Sequence, residues 1–310
     1  MQSVVRVFGA PPPGATEVAR NCTGTLLAPN LVVTALHCVS PITGDGNFTC
    51  ALDGSLANPP NGTLGAPYPP EHIAVALGNE FTREPSARAA QILTTRSSEI
   101  CTNDLAFLVL DQDVDGPLSP VRIDSRVLVN EPVTVAGYGL TADQPEPGEV
   151  TERRWRTGLR VVAVEEDGRE KSRPRTFSLS ESVCQGDSGG PAISEQGAVL
   201  GVYSTNAAGC VGTSARNFFT MLSGFRPLVL EAYEAAGADP WIEGTPYPGW
   251  APPPPPDAGE APGETLDAGS LTPYDNAPDV PAPVSRRVDS GFCSTSPGLP
   301  AGSAAGVVIG

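Results

Sequence analysis

The sequence is poor in histidine, methionine and positive charge. Only two histidines, His37 and His72, and two methionines occur among 310 residues. Lysine and arginine total 19 against 35 aspartates and glutamates, which gives a formal net charge of -16. A surface of this sign repels nucleic acid and acidic lipid, so we expect neither as a partner.

Long apolar segments are missing as well. No stretch of eighteen apolar residues occurs, and residues 1–20 show no charged segment followed by an apolar core. The sequence therefore shows neither a membrane span nor an export signal. Cysteine and histidine do not fall at metal-ligand spacings, so we expect no bound metal and no cofactor.

Cysteine, in contrast, is frequent for a chain with so few methionines. Together with much Thr, Gly and Pro, this composition suits an oxidising compartment, and we expect three disulfides and one spare thiol. The seven cysteines are Cys22, Cys38, Cys50, Cys101, Cys184, Cys210 and Cys293.

Composition also divides the chain into segments. Short runs rich in Val, Leu, Thr and Phe, broken by Gly, Pro and Asn, extend over about residues 3–229 and predict an all-β barrel or sandwich. The apolar period then changes and predicts a C-terminal helix over about 226–237. Residues 246–289 are rich in Pro and poor in apolar side chains, which predicts a disordered linker.

The segment GDSGGP, residues 186–191, surrounds Ser188 with more glycine than a turn needs. A serine hydroxyl becomes a good nucleophile only when a base takes its proton. The oxyanion that then develops needs donors, and glycines let the backbone N–H groups of Gly186 and Ser188 converge on one point. A glycine-rich turn between strands is the alternative interpretation, which six matching residues disfavour.

A base and an orienting carboxylate stand upstream of Ser188. His37, in LVVTALHCVS, ends an apolar strand, whereas His72 is interpreted as a buried or surface histidine without a catalytic role. Asp104, in CTNDLAFLVL, begins another apolar strand and would hold the imidazole tautomer. A strand-leading Asp that caps a turn is the alternative for Asp104.

These residues, in the order His, Asp, Ser, resemble the trypsin/chymotrypsin family of serine proteases. The resemblance covers about residues 3–240 and rests on CTGTLLAPNLVVTALHC, NDLAFLVL, GYG at 137–139 and, most specifically, CQGDSGGP. It implies a protease domain over 1–245 with two six-stranded antiparallel β-barrels, about 1–115 and 116–225. In that fold His37 is the general base and then acid, Asp104 its partner and Ser188 the nucleophile, while the N–H groups of Gly186 and Ser188 form the oxyanion hole.

The family resemblance also implies a pattern of disulfides. Cys22–Cys38 and Cys184–Cys210 match bridges that are usual in the family. Cys50–Cys101 would tie the insertion at residues 40–72 to the chain beside Asp104, and two free thiols are the alternative. Cys293 has no partner.

The primary specificity pocket is placed by the same resemblance. Its floor falls on Ser182, six residues before the nucleophile, where no carboxylate is present to bind Lys or Arg. Ser204 and Asn206 fall on the pocket wall, and a second wall position falls on either Arg216 or Asn217. We therefore expect cleavage after apolar or small residues, or after acidic ones if Arg216 lines the pocket.

Both ends of the chain depart from the family pattern. A freshly cut N-terminal amine usually pairs with the Asp before the nucleophile, here Asp187, but no such start is visible, so we expect a zymogen activated upstream. Residues 290–310 resemble the start of a myxobacterial cell-surface sorting signal with Cys293 as the processing site. A disordered tail with an incidental cysteine is the alternative.

Two functional classes follow from the sequence. The first is a monomeric serine endopeptidase, secreted or at the cell surface and attached there through its tail, that acts on proteins or peptides. The second is a catalytically silent protease-fold module that binds partners.

Overall fold

The computed structural model describes residues 2–16, 21–44, 48–79, 84–140, 152–165, 172–207, 212 and 214–248. All of these residues belong to one of the two compact units into which the chain divides. The predicted linker beyond residue 248 and the predicted tail with Cys293 lie outside the described residues. In the described part of the chain, no helix has the length and apolar character needed to cross a membrane.

Six antiparallel strands close the first barrel, in the order β1-β2-β3-β6-β5-β4. Alternate residues of β6 face different cores: Leu108 packs inside the barrel, whereas Phe107 and Val109 pack with side chains of the second sheet and the C-terminal helix. This burial on both sides explains the unbroken apolar run of β6. The strands are β1 (Val4–Gly9), β2 (Asn21–Ala28), β3 (Leu31–Thr34), β4 (Ile73–Leu77), β5 (Ala87–Thr94) and β6 (Ala106–Leu110).

The second sheet has seven strands in the order β8-β7-β11-β12-β13-β10-β9. Among the described residues it is a seven-stranded half-barrel where six strands were predicted, because its outer strands β8 and β9 do not pair with each other. Arginines on the exposed edge β8 oppose pairing with another strand. The strands are β7 (Pro132–Gly137), β8 (Arg154–Arg160), β9 (Ala163–Val164), β10 (Thr176–Leu179), β11 (Pro191–Ile193), β12 (Val199–Ala207) and β13 (Arg216–Met221).

Two short helices complete the described fold. Helix α1 (Ile100–Asn103) immediately precedes Asp104, and α2 (Arg226–Ala235) confirms the predicted C-terminal helix. Pro227 lies in the first turn of α2, where a backbone N–H would have no acceptor within the helix, so proline loses no hydrogen bond there. Gly237, beyond the end of the helix, has a left-handed φ of 69°. The mostly β architecture of two antiparallel barrel-like sheets and one C-terminal helix is therefore as predicted.

Two disulfides restrain the chain around α1 and β3. Cys22 bonds to Cys38, and Cys50 bonds to Cys101, so the insertion is joined to α1. Cys184 is also disulfide-bonded, but its predicted partner Cys210 lies outside the described residues.

Candidate active site

The candidate site lies where the first barrel meets the second sheet, and Thr23 of β2 joins the two. Its backbone N–H donates to the carbonyl of Ser188 at 2.8 Å, and its hydroxyl donates to the carbonyl of Gly186 at 2.9 Å. The same hydroxyl accepts the backbone N–H of Tyr138 at 3.1 Å. One threonine of the barrel therefore holds both the Ser188 turn and the end of β7.

His37 and Asp104 form a fully buried pair within the first barrel. His37 lies in a single 3-10 turn, Leu36–Cys38, directly after β3, and Asp104 lies between α1 and β6. The carboxylate accepts the backbone N–H of His37 at Oδ1 (2.8 Å) and the ring Nδ1 at Oδ2 (2.7 Å). Since a carboxylate only accepts, Nδ1 carries the proton, and Nε2 of the neutral ring has a free lone pair.

The outward nitrogen of this imidazole has no fixed partner. Nε2 of His37 is buried and has no hydrogen-bond partner among the described residues. Buried polar atoms in proteins are nearly always satisfied, and the exceptions often have a chemical role. A basic nitrogen in this state is prepared to take a proton from a group that reaches it.

Ser188 stands in a turn that only glycine can complete. Its carbonyl lies 3.5 Å from Sγ of Cys38, the residue that follows His37. At Gly189, with φ of 79°, an added Cβ would lie 2.1 Å from Oγ1 of Thr34 and 2.4 Å from the carbonyl oxygen of Thr23. The GDSGGP turn is therefore packed directly against β2 and β3, beside His37.

The peptide before Gly186 has a defined orientation. The carbonyl of Gln185 accepts the backbone N–H of Leu140 at 2.8 Å. The C=O and N–H of a trans peptide point in opposite directions, so the N–H of Gly186 points away from Leu140. Gly186 has φ of 95°, which an L side chain rarely adopts. The N–H of Gly186 is therefore directed away from the hydrogen bond between Leu140 and Gln185.

The position of the Asp187 carboxylate requires glycine at both ends of the GYG motif. Its carboxylate accepts the backbone N–H groups of Gly139 at 2.7 Å and Cys184 at 2.9 Å. An added Cβ at Gly137 would lie 2.1 Å from Oδ1 of Asp187, and one at Gly139 would lie 2.5 Å from its Cγ. Only a chain without side chains at both positions leaves room for this carboxylate.

The electrostatic setting of Asp187 is unusual. Burial raises the pKa of Asp187 to about 6, while the two backbone N–H groups and the charge of Arg154 act in the opposite direction. Asp187, Arg154, Trp155 and Ser182 line a cavity of about 240 Å³. The carboxylate is therefore buried beside an open cavity, and its burial outweighs the two hydrogen bonds that favour its charge.

The expected pocket floor is covered by one side chain. Asn217 is fully buried, and its Oδ1 accepts both the N–H and the hydroxyl of Ser182 at 3.1 Å. Asn217 pairs with Asn206 across β12 and β13. Arg216, which neighbours it and so faces the other side of the strand, donates to the carbonyl of Ala215 at 3.1 Å. The structure thus brings Ser182 together with Asn217 and not with Arg216.

Ser204 and Thr23 make contacts at this site that the local sequence does not reveal. Ser204, expected on the pocket wall, donates its hydroxyl to Oδ2 of Asp104 at 2.6 Å. The three contacts of Thr23 described above are with residues 115 to 165 positions away in the chain, so its local sequence gives no sign of them. His72 lies apart in the turn Pro70–His72, where its carbonyl accepts the N–H of Ala10 at 2.8 Å.

A possible metal-ligand group also occurs here. The ligand atoms of Cys22, His37 and Cys38 lie within 4.8 Å of one another. Both sulfurs are joined in a disulfide, and Nδ1 of His37 is bonded to Asp104, so these atoms do not form a metal site.

Comparison with known proteins agrees with this geometry. The Trypsin family model matches residues 13–229, which include His37, Asp104 and Ser188. A search of curated proteins finds no match. Because the matched region covers more than half of the chain, the protein belongs to the trypsin family.

Proposed function

We propose that this protein is a serine endopeptidase that hydrolyses peptide bonds through an acyl-enzyme. The observation that carries the proposal is the buried His37, whose Nδ1 is held by Asp104 at 2.7 Å and whose Nε2 has no partner among the described residues. A neutral imidazole in this state accepts a proton at Nε2, and the neighbouring GDSGGP turn supplies a hydroxyl.

In the first half of the reaction, Ser188 Oγ attacks the carbonyl carbon of the substrate and its proton passes to Nε2 of His37. Asp104 stabilises the resulting imidazolium. The carbonyl oxygen becomes an oxyanion, which the N–H groups of Gly186 and Ser188 stabilise. The C–N bond then breaks, His37 gives the proton to the leaving amine, and the acyl group stays on Ser188.

In the second half, water attacks the acyl-enzyme. His37 takes a proton from the water, a second oxyanion forms, and the C–O bond to Ser188 breaks. The proton returns from His37 to Ser188 Oγ, which restores the free enzyme and releases the carboxylic acid. No cofactor takes part in either half.

The orientation of the Gln185–Gly186 peptide supports the role of Gly186. Because Leu140 binds the carbonyl of Gln185 at 2.8 Å, rotation of this peptide would break that bond.

Asp187 holds the same turn through its bonds to Gly139 and Cys184. We propose that Asp187 is also the activation partner, to which a newly formed N-terminal amine would bind.

For specificity, we propose that the residue before the scissile bond is small and neutral. Asn217 is fully buried and bonds to both the N–H and the hydroxyl of Ser182, which places an amide side chain at the expected floor. A buried Lys or Arg would find hydroxyl and amide groups but no carboxylate at this floor, and an unpaired buried charge costs several kcal/mol. Preference for an acidic residue through Arg216 is less favoured, because its guanidinium bonds to the carbonyl of Ala215.

The disulfides support an exported protein. Cys22–Cys38 and Cys50–Cys101 are both formed, and such bonds persist in oxidising compartments. A protein or peptide substrate outside the cytosol is consistent with this location. The monomeric state and attachment through the tail stay predictions.

The proposal is tested by hydrolysis of a peptide library. We expect the wild type to cleave internal peptide bonds and Ser188→Ala to lower kcat by about 10⁶-fold. Ser125→Ala, which alters an exposed hydroxyl, is the matched control and should cleave as the wild type does. Folded wild type that cleaves nothing after its activating cleavage, or Ser188→Ala that cleaves normally, would contradict the proposal and favour a silent binding module.

A further inference from the structure

Arg156, on the edge strand β8, binds Glu181 at two points. Its Nη1 donates to the backbone carbonyl of Glu181 at 2.9 Å, and its Nη2 donates to Oε1 of the side chain at 3.0 Å. The other carboxylate oxygen, Oε2, accepts the backbone N–H of Gly212 at 2.7 Å. The bond from Gly212 and the guanidinium of Arg156 lower the pKa of Glu181, so its carboxylate is charged at neutral pH. These contacts, here called the clamp, join β8 to the chain beyond β12.

The clamp lies at the start of the segment 181–184, which contains the expected pocket floor, Ser182. This segment is in neither a strand nor a helix, so the hydrogen bonds of regular structure do not fix it. Side chains hold it instead. Asn217 accepts the N–H and the hydroxyl of Ser182 and donates to the carbonyl of Val183 at 3.3 Å. Asp187 accepts the last N–H of the segment at 2.9 Å. The position of the floor therefore depends on individual side-chain contacts.

One side of this segment faces a cavity. Residues 181–184 line part of the wall of the space of about 240 Å³ that Arg156 and Asp187 also line. Val183 packs in the core of the second sheet, which anchors the middle of the segment. On the cavity side, however, no atoms press against it, and a surface beside empty space lacks the dispersion contacts of a packed interior. The contacts at the two ends of the segment therefore matter more here than they would in a packed core.

The clamp differs from an ordinary surface ion pair in what it holds. The side chains of Arg156 and Glu181 are 48% and 35% exposed, and exposed ion pairs usually contribute little to stability. Arg96 makes such an ordinary contact, a single bond to Glu231 at 3.2 Å. The guanidinium of Arg156, in contrast, binds a backbone oxygen and a side-chain oxygen of the same residue, which restricts the orientation of that residue. The contact therefore fixes the chain immediately before Ser182.

We propose that Arg156 is a positioning residue of the primary specificity pocket, which acts through Glu181 to fix the floor at Ser182 and to join it to Gly212. The inference rests on the proposed peptidase function and assigns part of substrate recognition to a side chain on the edge strand. In the described part of the chain, Arg156 makes no bond to a triad residue. Its loss should therefore weaken substrate binding rather than slow the chemical steps, which raises KM and leaves kcat unchanged.

Arg156→Met tests the proposal in the protein after its activating cleavage. The variant keeps an aliphatic side chain on β8 and removes both bonds to Glu181. On a peptide with Ala before the scissile bond, we expect KM to rise about 5-fold, the scale of a strong exposed ion pair, and kcat to stay within about twofold. Arg156→Lys keeps the charge without the planar fork and should restore part of the loss. Arg160→Met is the matched control, because this exposed arginine of β8 bonds to the carbonyl of Asn130 instead, and it should keep the wild-type KM.

Glu181→Gln and the double variant test whether the two side chains act together. Both substitutions weaken the same contact, so the double variant should raise KM by less than the product of the two single effects. Salt gives a second measure, because at about 1 M NaCl the screening length falls to about 3 Å. The ratio of KM between Arg156→Met and the wild type should then decrease. Single effects that multiply, or a ratio that does not change with salt, would show that Arg156 does not act through Glu181 and would overturn the proposal.

Calorimetric binding of the same peptide to Ser188→Ala, with and without Arg156→Met, separates the two proposals. Hydrolysis with the same KM in Arg156→Met and the wild type, or with an equal rise of KM in Arg160→Met, would overturn the role of Arg156 and leave the peptidase intact. A fall in kcat at an unchanged KM would do the same. Binding to Ser188→Ala that Arg156→Met weakens, without hydrolysis by the wild type, would overturn the peptidase alone. Neither hydrolysis nor binding would overturn both.

Discussion

Ser204 of β12 donates its hydroxyl to Oδ2 of Asp104 at 2.6 Å, so the second sheet helps to orient the carboxylate of the first barrel. With the two bonds from His37, Asp104 has three donors and no exposed surface. These three hydrogen bonds fix both oxygens of the buried carboxylate. The contact with Ser204 therefore helps to hold Asp104 against the imidazole of His37.

Ser204→Ala should lower kcat without a matching change in KM. The variant removes one of three donors to Asp104, a loss of about 1–2 kcal/mol or roughly 10-fold in rate. Steady-state kinetics on one peptide substrate measure it. Ser119→Ala, which removes a buried bond to Ser3 instead, is the control and should keep the wild-type kcat. An unchanged kcat in Ser204→Ala would show that the third donor is dispensable.

Asn217→Gly should open the pocket. Removing the side chain that covers Ser182 makes room for larger apolar residues, each of which gains about 1.5–3 kcal/mol on burial. We expect kcat/KM for Leu or Phe before the scissile bond to rise at least about 10-fold relative to Ala. Cleavage of one peptide library by the wild type and by Asn217→Gly measures the preference for Leu, Phe and Ala at this position. If both profiles are the same, Asn217 does not line the pocket.

Asp187→Asn should change how stability depends on pH. Burial raises the pKa of Asp187 from 3.8 to about 6, so between these values the folded protein binds more protons than the unfolded chain. The contribution of Asp187 is therefore fully present below about pH 4 and is lost as the pH rises through about 6, by at most about 3 kcal/mol.

Urea unfolding of both proteins at pH 4 and pH 7 measures this contribution. The free energy of unfolding of Asp187→Asn, relative to the wild type, should increase between the two pH values. A relative value that stays constant or decreases would mean that the pKa of Asp187 is not raised.

Gly189→Ala should destabilise the protein more than Gly197→Ala. Both glycines have a left-handed φ, 79° and 85°, so both variants bear a backbone cost of about 1 kcal/mol. Only at Gly189 would the new methyl group meet Thr34 and Thr23, since nothing lies within 4 Å at Gly197. Thermal unfolding of the two variants compares them, and equal losses of stability would show that the turn can move away from β2.

The fold class was predictable because its signals are local. Short apolar runs broken by Gly and Pro predict strands, and the change of period after residue 225 predicts α2. The number of strands in the second sheet was not predictable to the same degree. A two-residue strand such as β9 is too short to show a periodic pattern, and whether a sheet closes depends on its edge strands.

The sequence could not decide which side chain lies at the pocket floor, for a different reason. A shift of one residue in register exchanges Arg216 and Asn217 between the two faces of β13, and the sequence left both open. Pairing of Asn206 with Asn217 sets the register, a contact between strands that no local pattern encodes. The contact of Ser204 with Asp104 was missed for the same reason, since the two residues are 100 positions apart and Ser204 was expected only on the pocket wall.

Reaction with a fluorophosphonate, followed by mass spectrometry of the labelled peptide, tests the central claim most directly. A serine activated by a base attacks the phosphorus of the reagent and displaces fluoride, so labelling reports the joint action of Ser188 and His37. In the mature, correctly started protein we predict one adduct per folded molecule, located on Ser188 and absent from both Ser188→Ala and His37→Ala. A folded mature protein that takes up no label, or takes it up on another residue, would contradict the account.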